Sequence, residues 1–178
     1  LGPGADHDTV GQPLREGDRI VWTHTACNSC YFCTVARQPT LCDNRRAYMF
    51  ENIEEPPHLL GGFSEYGYVL PQPGRIRVPD DVPNDLASLC SCAFRSVMNA
   101  LDNLGGIGAD ETVAIQGAGP LGLLAAACAS VAGARRVIVI GAPDRRLALA
   151  ERLGATDTLS IERHDTAARL EAIRDMTG

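Results

Sequence analysis

The chain has 178 residues with a formal net charge of −6, and 45% of them are hydrophobic and 21% charged. That size and balance suit one compact domain or parts of two, with many turns. An acidic chain without a Lys/Arg run argues against a nucleic-acid or anionic-membrane surface, and the longest apolar run, 121–132, is interrupted by Gly122 and Ser130 and reads as a buried helix rather than a membrane span.

Along residues 1–83 the pattern predicts short strands joined by turns. Gly17-Asp18 precedes a strand at 19–22, an aromatic and β-branched stretch at 63–70 predicts another, and 75–78 alternates like a half-buried third. Pro71, Pro73, Gly74, Pro79 and Pro83 punctuate the last of these. From residue 84 the texture changes. Asn84 or Asp85 is placed to cap a short helix, and a longer one is expected over 92–104, stopped by Gly105-Gly106. Strand 112–116, helix 120–132, strand 136–140, helix 143–153, a weak strand near 158–161 and helix 165–176 then follow. Strand and helix alternating at this rhythm predict a parallel, doubly wound sheet. The fold class is therefore α/β, with a mostly β part over 1–90 and the first part of a doubly wound parallel sheet over 91–178. A first residue that is Leu, and a helical pattern over 168–178 that stops where a further strand is due, make an internal piece of a longer protein the expectation.

Seven cysteines with no basic-then-apolar leader ahead of them do not suggest a disulfide framework. They suit a reducing, cytoplasmic setting and a metal site. Cys27-x-x-Cys30-x-x-Cys33, then eight residues and Cys42, is the sharpest metal signal. Two-residue gaps let successive thiolates turn back on one ion, and four sulfurs complete the closed tetrahedral shell of structural zinc. An ion there would contribute folding energy to a loop with little apolar core.

The second chemical motif is Gly117-Ala118-Gly119-Pro120-Leu121-Gly122. Such a turn is weak evidence alone, but here a strand precedes it and a helix begins at its end. Gly117 suits a tight turn, Gly119 a close approach of backbone to a pyrophosphate, and Gly122 close helix–strand packing. The helix N-terminus adds unpaired N–H groups for the phosphates. Strand 136–140 should then end in Asp or Glu to hold the ribose 2′-OH of NAD, yet Gly141 stands there. Arg145 and Arg146 follow within reach of a 2′-phosphate, which favours NADP while leaving NAD open. Asp144 beside them weakens the cationic character.

Cys27-Asn28-Ser29-Cys30-Tyr31-Phe32-Cys33 and Gln38-Pro39-Thr40-Leu41-Cys42 resemble the structural-zinc lobe of the medium-chain alcohol dehydrogenases. Residues 17–21 resemble the strand leading into that lobe and 62–66 the strand after it. The lobe's last gap is usually seven residues in that family, so this chain carries a one-residue loop insertion. The resemblance implies a partial GroES-like catalytic domain followed by a partial Rossmann domain. It also implies a second, reactive zinc whose third ligand lies in a segment that Cys92-Ala93-Phe94-Arg95-Ser96 resembles. Cys92 is then the candidate ligand, Cys90 its neighbouring competitor, and Ser96 a residue near the nicotinamide. The first two ligands have no match here, since Leu1-Gly2-Pro3-Gly4 resembles the stretch just after the family's Gly-His-Glu motif. The resemblance further implies hydride transfer between a small alcohol, or its aldehyde or ketone, and NAD(P), in a dimeric or tetrameric full-length parent; the piece alone is expected to be inactive. Two rivals stay open: a zinc-free quinone-reductase relative, against which the four-cysteine lobe argues, and a zinc-stabilised nucleotide-binding scaffold without catalysis.

Overall fold

The computed structural model describes residues 2, 4–24, 26–70 and 74–178. Leu1, Pro3, Pro71 and Pro73 of the sequence patterns above lie outside the described residues. The chain divides into two compact units, Leu1–Ser91 and Cys92–Gly178.

The first unit has little regular structure. Strand β1 (Ile20–Trp22) pairs antiparallel with β2 (Arg75–Arg77), Ile20 facing Arg77 and Trp22 facing Arg75. Side chains hold the loops around this pair. Asp8 is buried, and its carboxylate accepts the N–H groups of Val10, Gln12 and Arg77. Its burial opposes ionisation, but these backbone donors, with a further one from Gly11, outweigh that and hold the carboxyl below its usual range. Arg19 donates to the carbonyls of Val82 and Pro79 and to Asn84 Oδ1, each at 2.8 Å. Trp22 meets Tyr48 edge-on, with ring centroids 6.2 Å apart. Between the strands lie a one-turn helix α1 (Tyr31–Thr34) and a 3₁₀ turn (Pro39–Leu41).

The expected strand over 63–70 is not formed. Phe63 and Tyr66 are exposed, and the segment is tied by single bonds, Tyr68 N–H to the Leu59 carbonyl and Leu70 N–H to the Tyr48 hydroxyl. Among the described residues no neighbouring strand offers it a ladder, and an apolar alternating sequence without a partner does not become a strand.

Helix α2 (Asn84–Leu89) starts after Pro83 with no side-chain cap; Asn84, expected as a cap, spends its side chain on Arg19 instead. The helix expected over 92–104 starts later. A π-turn, Cys90–Phe94, follows α2, and α3 (Arg95–Asn103) begins only after it. The Cys90 thiol bonds back to the Leu86 carbonyl and the Ser96 hydroxyl to the Cys92 carbonyl, one turn earlier in each case. Such side-chain competition for helical carbonyls accompanies looser winding.

The second unit follows the predicted alternation closely. Strands β3 (Thr112–Gln116), β4 (Arg136–Gly141) and β5 (Asp157–Ser160) form a parallel sheet in that order. Helices α4 (Pro120–Val131), α5 (Asp144–Arg152) and α6 (Thr166–Thr177) accompany them. Beyond Arg136, strand β4 is apolar because both of its faces are covered. Val137 and Val139 pack with Ala126 and Ala129 of α4 and Leu147 and Ala150 of α5. Ile138 and Ile140 point the other way, with Leu159, against Ala172, Ile173 and Met176 of α6. Each fully buried aliphatic side chain contributes about 1.5–3 kcal/mol relative to exposure, so β4 anchors the unit. Asp165 caps α6 by accepting the Ala168 N–H at 2.8 Å. Among the described residues no helix is long and apolar enough to cross a membrane.

Candidate metal lobe and nucleotide-binding turn

The four clustered cysteines converge. Their sulfurs all lie within 4.8 Å of one another, with Cys30 and Cys33 3.6 Å apart, Cys30 and Cys42 3.9 Å, and Cys27 and Cys33 4.0 Å. Ligands about 2.3 Å from a tetrahedral zinc stand about 3.8 Å from each other. The cluster therefore has the dimensions of a closed zinc shell, with the eight-residue gap before Cys42 in place. Local structure explains the convergence. Asn28 adopts a left-handed φ of 56°, which folds the first Cys-x-x-Cys gap back on itself. Helix α1 then presents Cys33 one turn beyond Cys30.

The four sulfurs differ in what surrounds them. Cys27 accepts the peptide N–H of Cys30 at 3.3 Å and the Asn44 amide at 3.8 Å. Hydrogen bonds from the Ser29 side chain and backbone come first among the causes that lower its thiol to about 5. Cys33 is pushed the other way, up to about 12, by burial and then by its sulfur neighbours, Cys30 foremost. Cys30 is lowered, chiefly by the peptide N–H of Asp43. Ser29 and Asn44 escaped the sequence reading. The signal was there, a polar residue inside one ligand gap and another two places after the last ligand, where groups that orient metal ligands commonly sit.

The nucleotide turn sits at the C-terminal end of β3. Gly117 has φ 113°, which a residue with a Cβ rarely adopts, and its N–H donates to the Ile140 carbonyl at 2.7 Å. Gly119 is the extended residue ahead of α4, and Pro120 takes the first helical position, where its missing N–H costs nothing. A Cβ on Gly122 would stand 1.8 Å from the Gly117 carbonyl oxygen, so the helix can approach the turn only with glycine there. Leu121 is exposed beside it.

Gly141 ends β4 in register with Ser160 of β5. A Cβ there would lie 2.7 Å from the Ala118 nitrogen and 2.8 Å from its Cβ. The residue that replaces the expected acid thus fills a place where the glycine turn leaves no volume for any side chain. Arg145 and Arg146 are exposed in the first turn of α5. Asp144 is held by Arg163, from the turn after β5, at 3.3 Å; sequence reasoning did not place Arg163 at this edge of the sheet.

Cys92 is exposed within the π-turn, and Ser96 is exposed one turn later. Cys90 is half-buried. Among the described residues, the one group of three or more metal-ligating side chains within reach of a common ion is the four-cysteine cluster, so Cys92 stands apart from it. Burial raises the Cys128 thiol, as expected of a cysteine on the apolar helix α4. All seven cysteines are free thiols.

Residues 120–178 match a family model described as zinc-binding dehydrogenase. Over its full length the chain is 32% identical to the 5-exo-hydroxycamphor dehydrogenase of Pseudomonas putida, of which it covers 48%. An alcohol dehydrogenase structure from Thermotoga maritima superposes on 97% of the chain with a TM-score of 0.89 and 37% identity; the match covers 48% of that structure. A structure from Sinorhizobium meliloti bound to NADP superposes on 87% with a TM-score of 0.67 and 33% identity, covering 43% of that chain. The chain spans about half the length of the relatives it matches.

Proposed function

Because this chain belongs to the zinc-containing medium-chain alcohol dehydrogenase family, we propose that it is part of an enzyme that passes a hydride between a small alcohol, or its aldehyde or ketone, and NAD(P). The observation that carries the reading is the joint presence of a four-thiolate shell of zinc dimensions and a Gly-x-Gly-x-x-Gly turn opening a helix at the end of a parallel strand. In this assignment 1–90 is part of the catalytic domain and 91–178 part of the nucleotide-binding domain.

Each residue has its role. Cys27, Cys30, Cys33 and Cys42 hold a structural zinc that ties down the loop around α1. Gly117 and Gly119 open the turn so that backbone can approach a pyrophosphate. Pro120, Leu121 and Gly122 begin α4, whose first N–H groups have no partner four residues back and face the phosphates. Cys92 is a ligand of the reactive zinc, and Ser96, one turn on, flanks the nicotinamide. When bound, that zinc supplies Lewis acidity toward the substrate oxygen, and the nicotinamide supplies or accepts the hydride. Gly141 offers no carboxylate to the adenosine ribose, and Arg145 and Arg146 stand near a 2′-phosphate, so NADP is the favoured cofactor. The NADP-bound relative supports that choice. Seven free thiols suit a reducing cytoplasm. A dimer or tetramer of the full-length protein completes the proposal.

The test is nicotinamide reduction by zinc-loaded full-length protein over a panel of primary and secondary alcohols. Turnover that favours NADP over NAD is the expected result. Nucleotide binding without turnover on any alcohol or carbonyl would overturn it in favour of a zinc-stabilised binding scaffold.

A further inference from the structure

Strands β4 and β5 end side by side, Gly141 in register with Ser160, and the turns that follow them are tied together. Ile161 N–H donates to the Gly141 carbonyl at 3.0 Å. Ser160 is fully buried; its hydroxyl accepts the Glu162 N–H at 3.3 Å and its carbonyl the His164 N–H at 3.1 Å. From this braced turn Arg163 reaches α5, where its guanidinium meets the Asp144 carboxylate at 3.3 Å. Open parallel sheets bind ligands beyond the carboxyl ends of their strands. The Arg163–Asp144 pair stands at that edge, with the glycine turn.

Helix α5 shows which of its residues look toward β5. Successive helical residues turn by about 100°, and Leu147 and Ala150 form the buried stripe. Asp144 and Glu151 share one flank beside it. Both reach the β5 side, Asp144 through Arg163 and Glu151 by accepting the Thr158 hydroxyl at 2.8 Å. On the same wheel Arg145 projects away from the stripe and Arg146 falls on the opposite flank from Asp144. The cation on the β5 flank is therefore Arg163.

We propose that Arg163 is a cofactor-specificity residue that grips the 2′-phosphate of NADP, and that Asp144 is its resting counter-ion. The inference rests on the NADP reading above and adds a cation to it. A guanidinium offers the same planar fork to a phosphate as to a carboxylate, so the group that holds Asp144 suits the incoming anion. Both side chains are more than half exposed, and an exposed ion pair adds little stability. Exchanging one anion for the other therefore costs little. The ribose 2′-OH of NAD carries no charge to drive that exchange. Asp144 opposes NADP twice, by occupying the guanidinium and by placing a negative charge beside the phosphate.

The experiment is calorimetry on full-length protein at fixed ionic strength, with NADP and NAD titrated separately into the parent and each variant. Arg163→Gln should weaken NADP about tenfold or more, the scale of a lost hydrogen bond to a charged group, and NAD by less than about twofold. Asp144→Asn should strengthen NADP by about threefold, the scale of a released surface pair. Arg145→Gln should cost NADP less than Arg163→Gln does. An Arg163→Gln variant that keeps NADP affinity, or loses both nucleotides equally as a merely structural residue would, overturns the proposal. So does an Asp144→Asn variant that binds NADP more weakly. A parent with no preference for NADP would overturn the cofactor reading and this inference with it; measuring the parent first separates that failure from the others.

Discussion

Replacing Gly141 tests the geometry of the nucleotide turn most directly. A Cβ at this position would stand 2.7 Å from the Ala118 nitrogen and 2.8 Å from its Cβ, where unstrained heavy-atom contacts lie at about 3.5–4.0 Å. Relief requires the turn to retreat by about 1 Å, yet Gly117 N–H is bonded to the Ile140 carbonyl one residue earlier in the same strand, at 2.7 Å. Ala118 itself is 3% exposed and packed in the core. Overpacking of this kind costs about 1–3 kcal/mol. Gly141→Ala should therefore destabilise full-length protein in urea unfolding without any nucleotide present. Ala118→Gly in the same background should recover part of the loss, because it removes the Cβ contact and leaves the one to nitrogen. Gly141→Asp adds charge to the same volume. If charge discriminates the cofactors, Asp loses NADP affinity beyond what Ala loses; if the turn's shape decides, the two lose it alike. A Gly141→Ala variant within about 0.5 kcal/mol of the parent would refute the crowding on which this reasoning stands.

Gly122→Ala should be more damaging, about 3 kcal/mol or more, because its Cβ would meet the Gly117 carbonyl oxygen at 1.8 Å; loss of nucleotide binding in calorimetry, together with a lowered Tm, checks it. In the 178-residue chain, where the four-cysteine cluster is the one metal-ligating group among the described residues, Cys30→Ser should abolish the tightly held zinc while Cys92→Ser preserves it, read by elemental analysis after dialysis against a chelator. Equal loss in both would undo the division between structural and reactive ligands. Asp8, whose carboxyl is held below its usual value of 3.8, stabilises the fold above the ordinary carboxylate range and loses that contribution as pH falls through its lowered native value. Asp8→Asn should accordingly lower the urea midpoint at neutral pH and flatten its decline in acid; an unchanged midpoint at both would contradict the loop-organising role.

What could be read from the sequence divides along the physics. The second unit was legible because its signals are local and agree: a central apolar strand covered on both faces, glycine at each helix stop, Asp165 at a cap. The cysteine gaps were legible because tetrahedral coordination restricts them. The segment 63–70 was not, since a strand depends on a partner that sequence alternation does not supply. The late start of α3 was not, because the π-turn over Cys90–Phe94 contains no Gly or Pro to mark it in the sequence.

Gly141 shows where reading by residue type stops. From the sequence it is a missing charge, and the missing charge points to NADP. In the structure it is also a missing volume, set by Ala118, the first variable residue of Gly-x-Gly-x-x-Gly. An acid at 141 and an alanine at 118 compete for the same space, so the two positions should be treated as one unit. It follows that restoring the acid alone is not a clean exchange of cofactor preference. Crowding and charge arrive together in Gly141→Asp, and only the comparison with Gly141→Ala assigns the change in affinity to one of them.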